Sequence, residues 1–336
     1  MLKFCSSAWD TIQIFKNGSV SFCMCSDWHN SSPAGNLHRN SLSEIINSTN
    51  SQKFKNSIID QSYRYCNKSL CPRLHNLQQI DNFDSVDLLQ LPTTLSLAVD
   101  KNCNLKCASC RNSQVYSTDI DPNTKHVFDS LCKEYTNFDQ PVIVHGDGAG
   151  DCFASAAWRE FLNSDNLPEC FKFSLTTNGN LITKNLDIID KIKSQLHSVT
   201  VSLDAATAET YKKIRGGNFN LVLDGIKELT NLKIMVHTQY VLQYQNYQEL
   251  IQYQNLAKSM GVETFGIQKL FRWPHMNDQW WLENQLENNK KVDKDLLYRS
   301  LQKVVVDPKC IRGSGIDALF QKLSQQLVDD VNGHFG

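Results

Sequence analysis

Residues 93–110, TTLSLAVDKNCNLKCASC, join a short apolar run to three cysteines: Cys103, Cys107 and Cys110. The run 94–99 reads as a buried strand, and the cysteines follow at its end. Three thiolates can hold three irons of a cubane iron–sulfur cluster and leave the fourth iron open to a substrate or cofactor. A cluster closed by four cysteines mostly moves electrons or braces the fold. The pattern therefore points to an enzyme rather than a binding module. A structural zinc site is the alternative, but it would want a fourth protein ligand, and no fourth cysteine stands in this loop.

Apolar runs recur downstream at 142–145, 171–175, 199–203, 233–240 and 262–268. Helical stretches lie between them, including 154–163, 183–196, 207–214, 220–231 and 247–260. With the first run they make six strand–helix units, the pattern of a parallel, barrel-like sheet. Such sheets carry their chemistry on the loops beyond the carboxyl ends of the strands. Here those loops hold GDGAGD (146–151), LTTNG (175–179) and VSLDAATAETYKKIRGG (201–217).

The C-x3-C-x2-C spacing, followed by these motifs in this order, closely resembles the radical S-adenosylmethionine (SAM) enzymes over about residues 92–270. The resemblance implies an α/β fold, a partial (β/α)6 TIM-like barrel. It implies a [4Fe-4S] cluster with an open iron on Cys103, Cys107 and Cys110, and SAM as the second cofactor. One electron would then cleave SAM to a 5'-deoxyadenosyl radical, which takes a hydrogen atom from substrate. A reducing partner such as flavodoxin or ferredoxin would supply the electron. Gly146, Asp147 and Gly148 match the glycine-rich motif after the second strand; Asp147 is either a direct acceptor for the SAM ammonium or a turn residue. Thr176 and Asn178 fall where the methionyl end would bind, and Ser202 and Asp204 where ribose or carboxylate would. Arg215 is a candidate partner for the SAM carboxylate or a helix-end cation. One departure is Ser109, where the family usually has an aromatic on the adenine side.

Other residues carry two readings each. Cys152, just past GDGAGD, is a candidate hydrogen-atom donor; the alternative is a small buried thiol. Cys132, Cys170 and Cys310 lack partners at ligand spacing and read as structural. His237 and Gln239 share one face of the fifth strand and either approach substrate or sit satisfied in the core. Arg272, Trp273 and His275, after the sixth strand, either recognise substrate or pack the tail.

Residues 1–80 are polar and irregular. WDTIQIFKNGSVSFC (9–23) reads as two short strands around an Asn17-Gly18 turn, and SLSEIINS (41–48) as a capped short helix. With few apolar residues, this unit is expected to need a metal for stability. Cys23, Cys25, Cys66 and Cys71 form two close pairs, enough to close a metal site. Their surroundings resemble the auxiliary-cluster modules called SPASM or twitch, which commonly follow the barrel rather than precede it. That resemblance implies an auxiliary [4Fe-4S] cluster; spacing alone does not separate iron from zinc. The domain expectation is a module over 1–80, a barrel over 92–270 and a mostly helical extension over 271–336.

Composition bounds the rest. The chain has 336 residues, 34 basic and 35 acidic side chains, and a formal net charge of -1. That balance gives no support for nucleic acid as a partner. Twelve cysteines without an amino-terminal signal pattern point to metal ligands and buried thiols in a reducing cytoplasm, not disulfides. No apolar stretch is long enough to span a membrane. An auxiliary module implies a substrate that is a peptide or protein, or a small polar metabolite undergoing dehydrogenation or epimerisation. A separate leader-binding domain is not evident. A non-enzymatic iron–sulfur scaffold is the reading from a different class.

Overall fold

The computed structural model describes residues 2–23, 33–68, 71, 74, 77–80, 91–111, 113–146, 149–273 and 276–333. Twelve strands run in chain order: β1 Leu2–Phe4, β2 Thr11–Phe15, β3 Ser19–Phe22, β4 Gly35–Asn36, β5 Gln78–Ile80, β6 Thr94–Ala98, β7 Val142–Gly146, β8 Phe171–Thr177, β9 Leu196–Ser202, β10 Val236–Leu242, β11 Thr264–Lys269 and β12 Cys310–Arg312. The α-helices are α1 Ser7–Asp10, α2 Leu42–Ile46, α3 Thr49–Ile59, α4 Pro122–Tyr135, α5 Ala156–Leu162, α6 Leu186–Lys191, α7 Ala208–Ile214, α8 Phe219–Asn231, α9 Leu250–Ser259, α10 Asp278–Asn284, α11 Lys294–Val305 and α12 Ile316–Gly333.

The chain divides into two compact units. The first comprises Met1–Asn102, Tyr116–Leu175 and Ile188–His197; the second comprises Cys103–Val115, Thr176–Asp187 and Ser198–Gly336. Strands β8 and β9 each begin in the first and end in the second. The order of the ten-stranded sheet is β12-β11-β10-β9-β8-β7-β6-β2-β3-β4. From β6 to β12 sequential strands are neighbours with helices between most of them, the connectivity expected of a partial (β/α) barrel.

In the first unit, β6, β7 and β8 pair in parallel. Leu95, Leu97, Val142, Val144, Phe171 and Phe173 are buried on one face. The opposite face carries the row Ser96, His145 and Ser174, in register across the three strands. Helix α4 connects β6 to β7. Asp121 caps it, Pro122 opens it, and Val127, Phe128, Leu131 and Tyr135 form its buried stripe.

The amino-terminal segment corrects one expectation. It packs on apolar side chains: Trp9, Ile12, Ile14, Val20, Phe22, Leu42, Ile45, Phe54 and Ile58 are all buried. The predicted hairpin forms as β2 and β3, with Ile12 opposite Phe22. Strand β2 also pairs in parallel with β6, Gln13 opposite Ser96, so the segment extends the sheet. The predicted capped helix is α2. Glu44 N donates to Ser41 Oγ at 3.2 Å, and Ser41 N donates to Glu44 Oε2 at 2.8 Å. Strand β1 lies antiparallel to β5, joining the two ends of the segment.

In the second unit, β9, β10, β11 and β12 are parallel neighbours. The alternating burial of β10 places Val236, Thr238, Tyr240 and Leu242 inside. The tail is helical, as expected, apart from β12, a short strand against β11 that the sequence pattern does not announce. Cys310 sits in it, opposite Phe265, and burial pushes its thiol up to about 11. This agrees with a structural thiol.

Candidate cluster and cofactor site

The cysteine loop is fixed by its own backbone. Cys103 N donates to Val115 O at 2.7 Å, and Cys110 N donates to Cys107 O at 3.0 Å. Cys103, Leu105 and Cys107 are buried together, and Cys110 is exposed. Arg111 lies within the field of all three thiols. Burial opposes its charge, but the hydrogen bond to Cys110 and the pull of Cys110, Cys103 and Cys107 raise its pKa.

Side chains from later strand ends hold the loop. Asn178, after β8, donates through Nδ2 to Asn104 Oδ1 at 2.8 Å and to Cys103 Sγ at 3.7 Å. Ala108 N donates to Ile214 O, and Cys107 Sγ donates to Arg215 O at 3.7 Å. The Arg215 side chain turns to Asp204, with Nη1 to Oδ2 at 2.9 Å. Asp204 is buried and its pKa is raised by burial, against the pull of Arg215 and the Val241 N–H. Val241 N donates to its Oδ1 at 2.7 Å, so both carboxylate oxygens are engaged. The sequence reading offered Arg215 as a SAM carboxylate ligand or a surface cation. It is a largely buried cation paired with Asp204, which sets aside the surface reading. Burial pushes the Cys107 thiol up to about 11, and Arg215 opposes the shift. The thiol is therefore protonated near neutral pH, and a bound metal would have to displace that proton.

Thr176 and Ser202 are half-buried at the ends of β8 and β9. His237 Nδ1 meets Thr264 Oγ1 at 2.7 Å. Gln239 packs against Gly266, where an added Cβ would stand 2.3 Å from Oε1. Trp273 is exposed, and Arg272 pairs with Asp278. His275 lies outside the described residues.

The glycine-rich loop belongs to the first unit, where a buried polar network carries it. Asp100 accepts from Asn102 N and Nδ2, each at 2.9 Å, and from Ser155 Oγ at 2.5 Å. Asp151 N donates to Asn102 O at 2.8 Å. A side chain on Gly150 would come within 2.3 Å of Asn102 O, so only glycine allows this approach. Gly146 accepts from Cys152 Sγ at 3.2 Å, and Cys152 is buried, which fits the packing reading of that thiol better. Asp147 and Gly148 lie outside the described residues. Asp100, Asn102 and Asp151 were not singled out by sequence; their signal was only their place on either side of the two motifs.

The amino-terminal thiols gather differently. Burial first, then Cys5, Cys71 and Cys23, push the Cys66 thiol up to about 12. Cys23 holds a left-handed backbone, φ 66°, and its N–H donates to Thr11 O at 2.9 Å. Of the four cysteines expected here, Cys25 lies outside the described residues, and Cys23, Cys66 and Cys71 fall among them. Cys5 joins them. The β1–β5 pairing brings Phe4 opposite Gln78, and Cys5 is the next residue after Phe4.

Among the described residues no group of three or more His, Cys, Asp or Glu side chains stands ready to hold a metal ion. The donor chemistry at both places nevertheless fits iron–sulfur ligation, since the thiols described there are not tied up in disulfides.

Family descriptions match both regions. The radical SAM superfamily matches residues 99–257, and the SPASM iron–sulfur cluster-binding domain matches residues 5–72. The chain carries a radical SAM domain preceded by a SPASM module. It is therefore a radical SAM enzyme by family. No curated protein matches the sequence. Among solved structures, SuiB of Streptococcus suis bound to S-adenosylmethionine has a TM-score of 0.51 at 15% identity, over 92% of this chain and 73% of that one. SuiB bound to the precursor peptide SuiA gives 0.49 at 15%, over 93% and 73%. The protein anSMEcpe with bound AdoMet gives 0.48 at 16%, over 64% and 60%. The likeness to SuiB bound to S-adenosylmethionine speaks to the fold alone. No helix among the described residues is long and apolar enough to cross a membrane.

Proposed function

We propose that this radical SAM enzyme cleaves S-adenosylmethionine reductively and removes a hydrogen atom from a peptide or protein substrate. The observation that carries the chemistry is the cysteine loop that follows β6, where Cys103 and Cys107 are buried together and Cys110 N donates to Cys107 O at 3.0 Å. Cys103, Cys107 and Cys110 would hold the [4Fe-4S] cluster. When bound, cluster and SAM supply the one-electron step and the radical. The chain's own residues then do four things. Asn178 fixes Cys103. The Asp204–Arg215 pair places one fixed cation beside Cys107 and neutralises it locally. Gly146, Thr176 and Ser202, with Asp147 and Gly148, would receive SAM at successive strand ends. Asp151, pinned to Asn102, orients the glycine-rich loop.

Cys23, Cys25, Cys66 and Cys71 would hold the auxiliary [4Fe-4S] cluster; Cys5, which acts on the Cys66 thiol beside Cys71 and Cys23, is the alternative to Cys25. The auxiliary module also favours a peptide substrate, since such modules commonly serve peptide modification. Precursor-peptide binding is a property of SuiB, which shares the fold. A flavodoxin- or ferredoxin-like reductant and a reducing, cytoplasmic setting complete the reading. The test is anaerobic reconstitution with dithionite and SAM, followed by deuterium transfer from labelled candidates into 5'-deoxyadenosine. Transfer from a labelled peptide is expected; transfer only from a small metabolite would overturn the substrate class.

A further inference from the structure

At the carboxyl end of β10 and on the segment joined to it lie three buried amide side chains with polar atoms unmatched. Gln243, Asn284 and Gln285 are 1%, 3% and 3% exposed. Among the described residues Gln243 Nε2, Asn284 Oδ1 and Gln285 Nε2 are buried without a hydrogen-bond partner. Folded proteins rarely leave such groups unmatched, and three on adjoining segments call for an occupant.

Their orientation is set by neighbours. Asn284 Nδ2 donates to Trp280 O at 2.8 Å, which leaves Oδ1 as the free acceptor. Gln285 Oε1 accepts from Asn288 N at 2.8 Å, which leaves Nε2 as the free donor. The two segments are joined by Tyr244 N donating to Asn284 O at 2.9 Å. A hub residue links the group to the cluster side of the barrel. Gln243 N donates to Asn246 Oδ1 at 2.8 Å, and Asn246 Nδ2 donates to Asp204 O at 2.9 Å. Asp204 is the partner of Arg215, so the amides sit one residue away from the pair beside Cys107.

We infer that Gln243, Asn284 and Gln285 form a subsite for the main-chain amide of a peptide substrate, covered by α10. The inference rests on the peptide reading above and adds the group recognised. Two donors from separate side chains match the two lone pairs of one carbonyl oxygen, and the single acceptor matches an amide N–H. A carboxylate has no proton for Asn284 Oδ1. No unpaired charge is offered to an ionic ligand by these three residues. The nearest cation of β11, Lys269, is committed to Glu287 at 2.6 Å.

Because the three atoms are shielded, the ligand reaches them when the carboxyl end of α10 lifts from β10. The unmatched amides make the covered arrangement costly, and an incoming peptide group removes that cost. The occupied state is therefore the closed one.

The test uses the full chain, reconstituted without oxygen, and hydrogen–deuterium exchange of residues 243–247 and 280–288. The probe is N-acetylglycine N-methylamide, with myo-inositol as a hydroxyl control. Saturating probe is expected to slow exchange in both segments by about threefold or more. The Gln243→Leu/Gln285→Met double variant, which replaces the unmatched donors by apolar groups of similar shape, is expected to fold and lose the response. Should it not fold, Gln285→Glu puts an acceptor where a donor is needed and is expected to lose the response alone. No slowing in the wild type, equal slowing in the variant, or slowing by inositol alone would overturn the inference. The readout needs no radical chemistry. Failure of the probe leaves the peptide reading to be judged by deuterium transfer, and failure of deuterium transfer leaves the exchange result intact.

Discussion

The two cysteine regions are built by opposite means. The cysteine loop at 103–110 takes its thiols from eight consecutive residues and is held by short backbone bonds and side chains from later strand ends. The amino-terminal thiols that act on one another, Cys5, Cys23, Cys66 and Cys71, come from separate places in the sequence. Nothing local gathers them. The β1–β5 pairing, the β2–β3 hairpin and the packing of α2 and α3 do so. A site of the first kind is sensitive to its ligands, and a site of the second kind is also sensitive to the scaffold that closes it.

The largest expected effect tests the local site. Replacing Cys103, Cys107 and Cys110 by Ala is expected to cut 5'-deoxyadenosine formation by at least about 10³-fold, because no other group can take over the open-iron chemistry. Iron bound by the amino-terminal thiols is expected to remain. Iron and sulfide analysis beside product chromatography checks both. Loss of all iron would mean that the two sites are not independent.

Asp204→Asn comes next. Asp204 has φ 55°, a left-handed value that Asn also tolerates, so the change removes charge more than shape. Arg215 is then left buried without its counter-charge, which costs roughly 3–5 kcal/mol. Chemical unfolding reads this. A loss below about 1 kcal/mol would mean that Arg215 finds another partner.

Cys5→Ser against Cys25→Ser sharpens the other side. If Cys5 closes the amino-terminal site, its replacement should remove that site's iron and lower Tm by roughly 5 °C, while Cys25→Ser keeps both. The reverse result restores the ligand set that spacing suggested.

How much could be read in advance follows the same division. The strands were legible because each is an apolar run long enough to be buried on one side, as in 171–175 and 199–203. The cysteine loop was legible because its chemistry is packed into one short motif. Helix α4 was not delimited, since its buried stripe of Val127, Phe128, Leu131 and Tyr135 is interrupted by charged residues. The parallel β2–β6 pairing left no local mark either, because its partners lie about 80 residues apart. The role of the apolar residues around Ile12 and Ile14 was missed for that reason. Asp204 and Arg215 were picked out by position, but their pairing needed three dimensions: burial turned two candidate ligands for SAM into partners for each other.

The smallest expected effect concerns what ties the amino-terminal segment to α4. Lys16, at the hairpin, reaches Asp121, the cap of α4, at 2.8 Å. Farther along the helix, Glu134 accepts from Leu42 N at 3.0 Å, and His126 Nε2 meets Leu37 O at 3.2 Å. Lys16 remains partly exposed, so Lys16→Met is expected to cost only about 0.2–1 kcal/mol near neutral pH. The pH dependence identifies the source. The Lys16 hydrogen bond holds the Asp121 carboxyl below its usual range, with help from the Asn123 N–H. A carboxyl depressed in the folded state stabilises above its unfolded pKa and stops doing so as pH falls through its folded value. The gap between wild type and variant should therefore be full at neutral pH and shrink as Asp121 is protonated below about pH 4. Unfolding curves at a series of pH values read the gap, and high salt should shrink it too. A gap that stays constant down to acid pH would assign the effect to packing of the Lys16 stem, and α4 would then be held by Glu134 and His126 without an ionic tie.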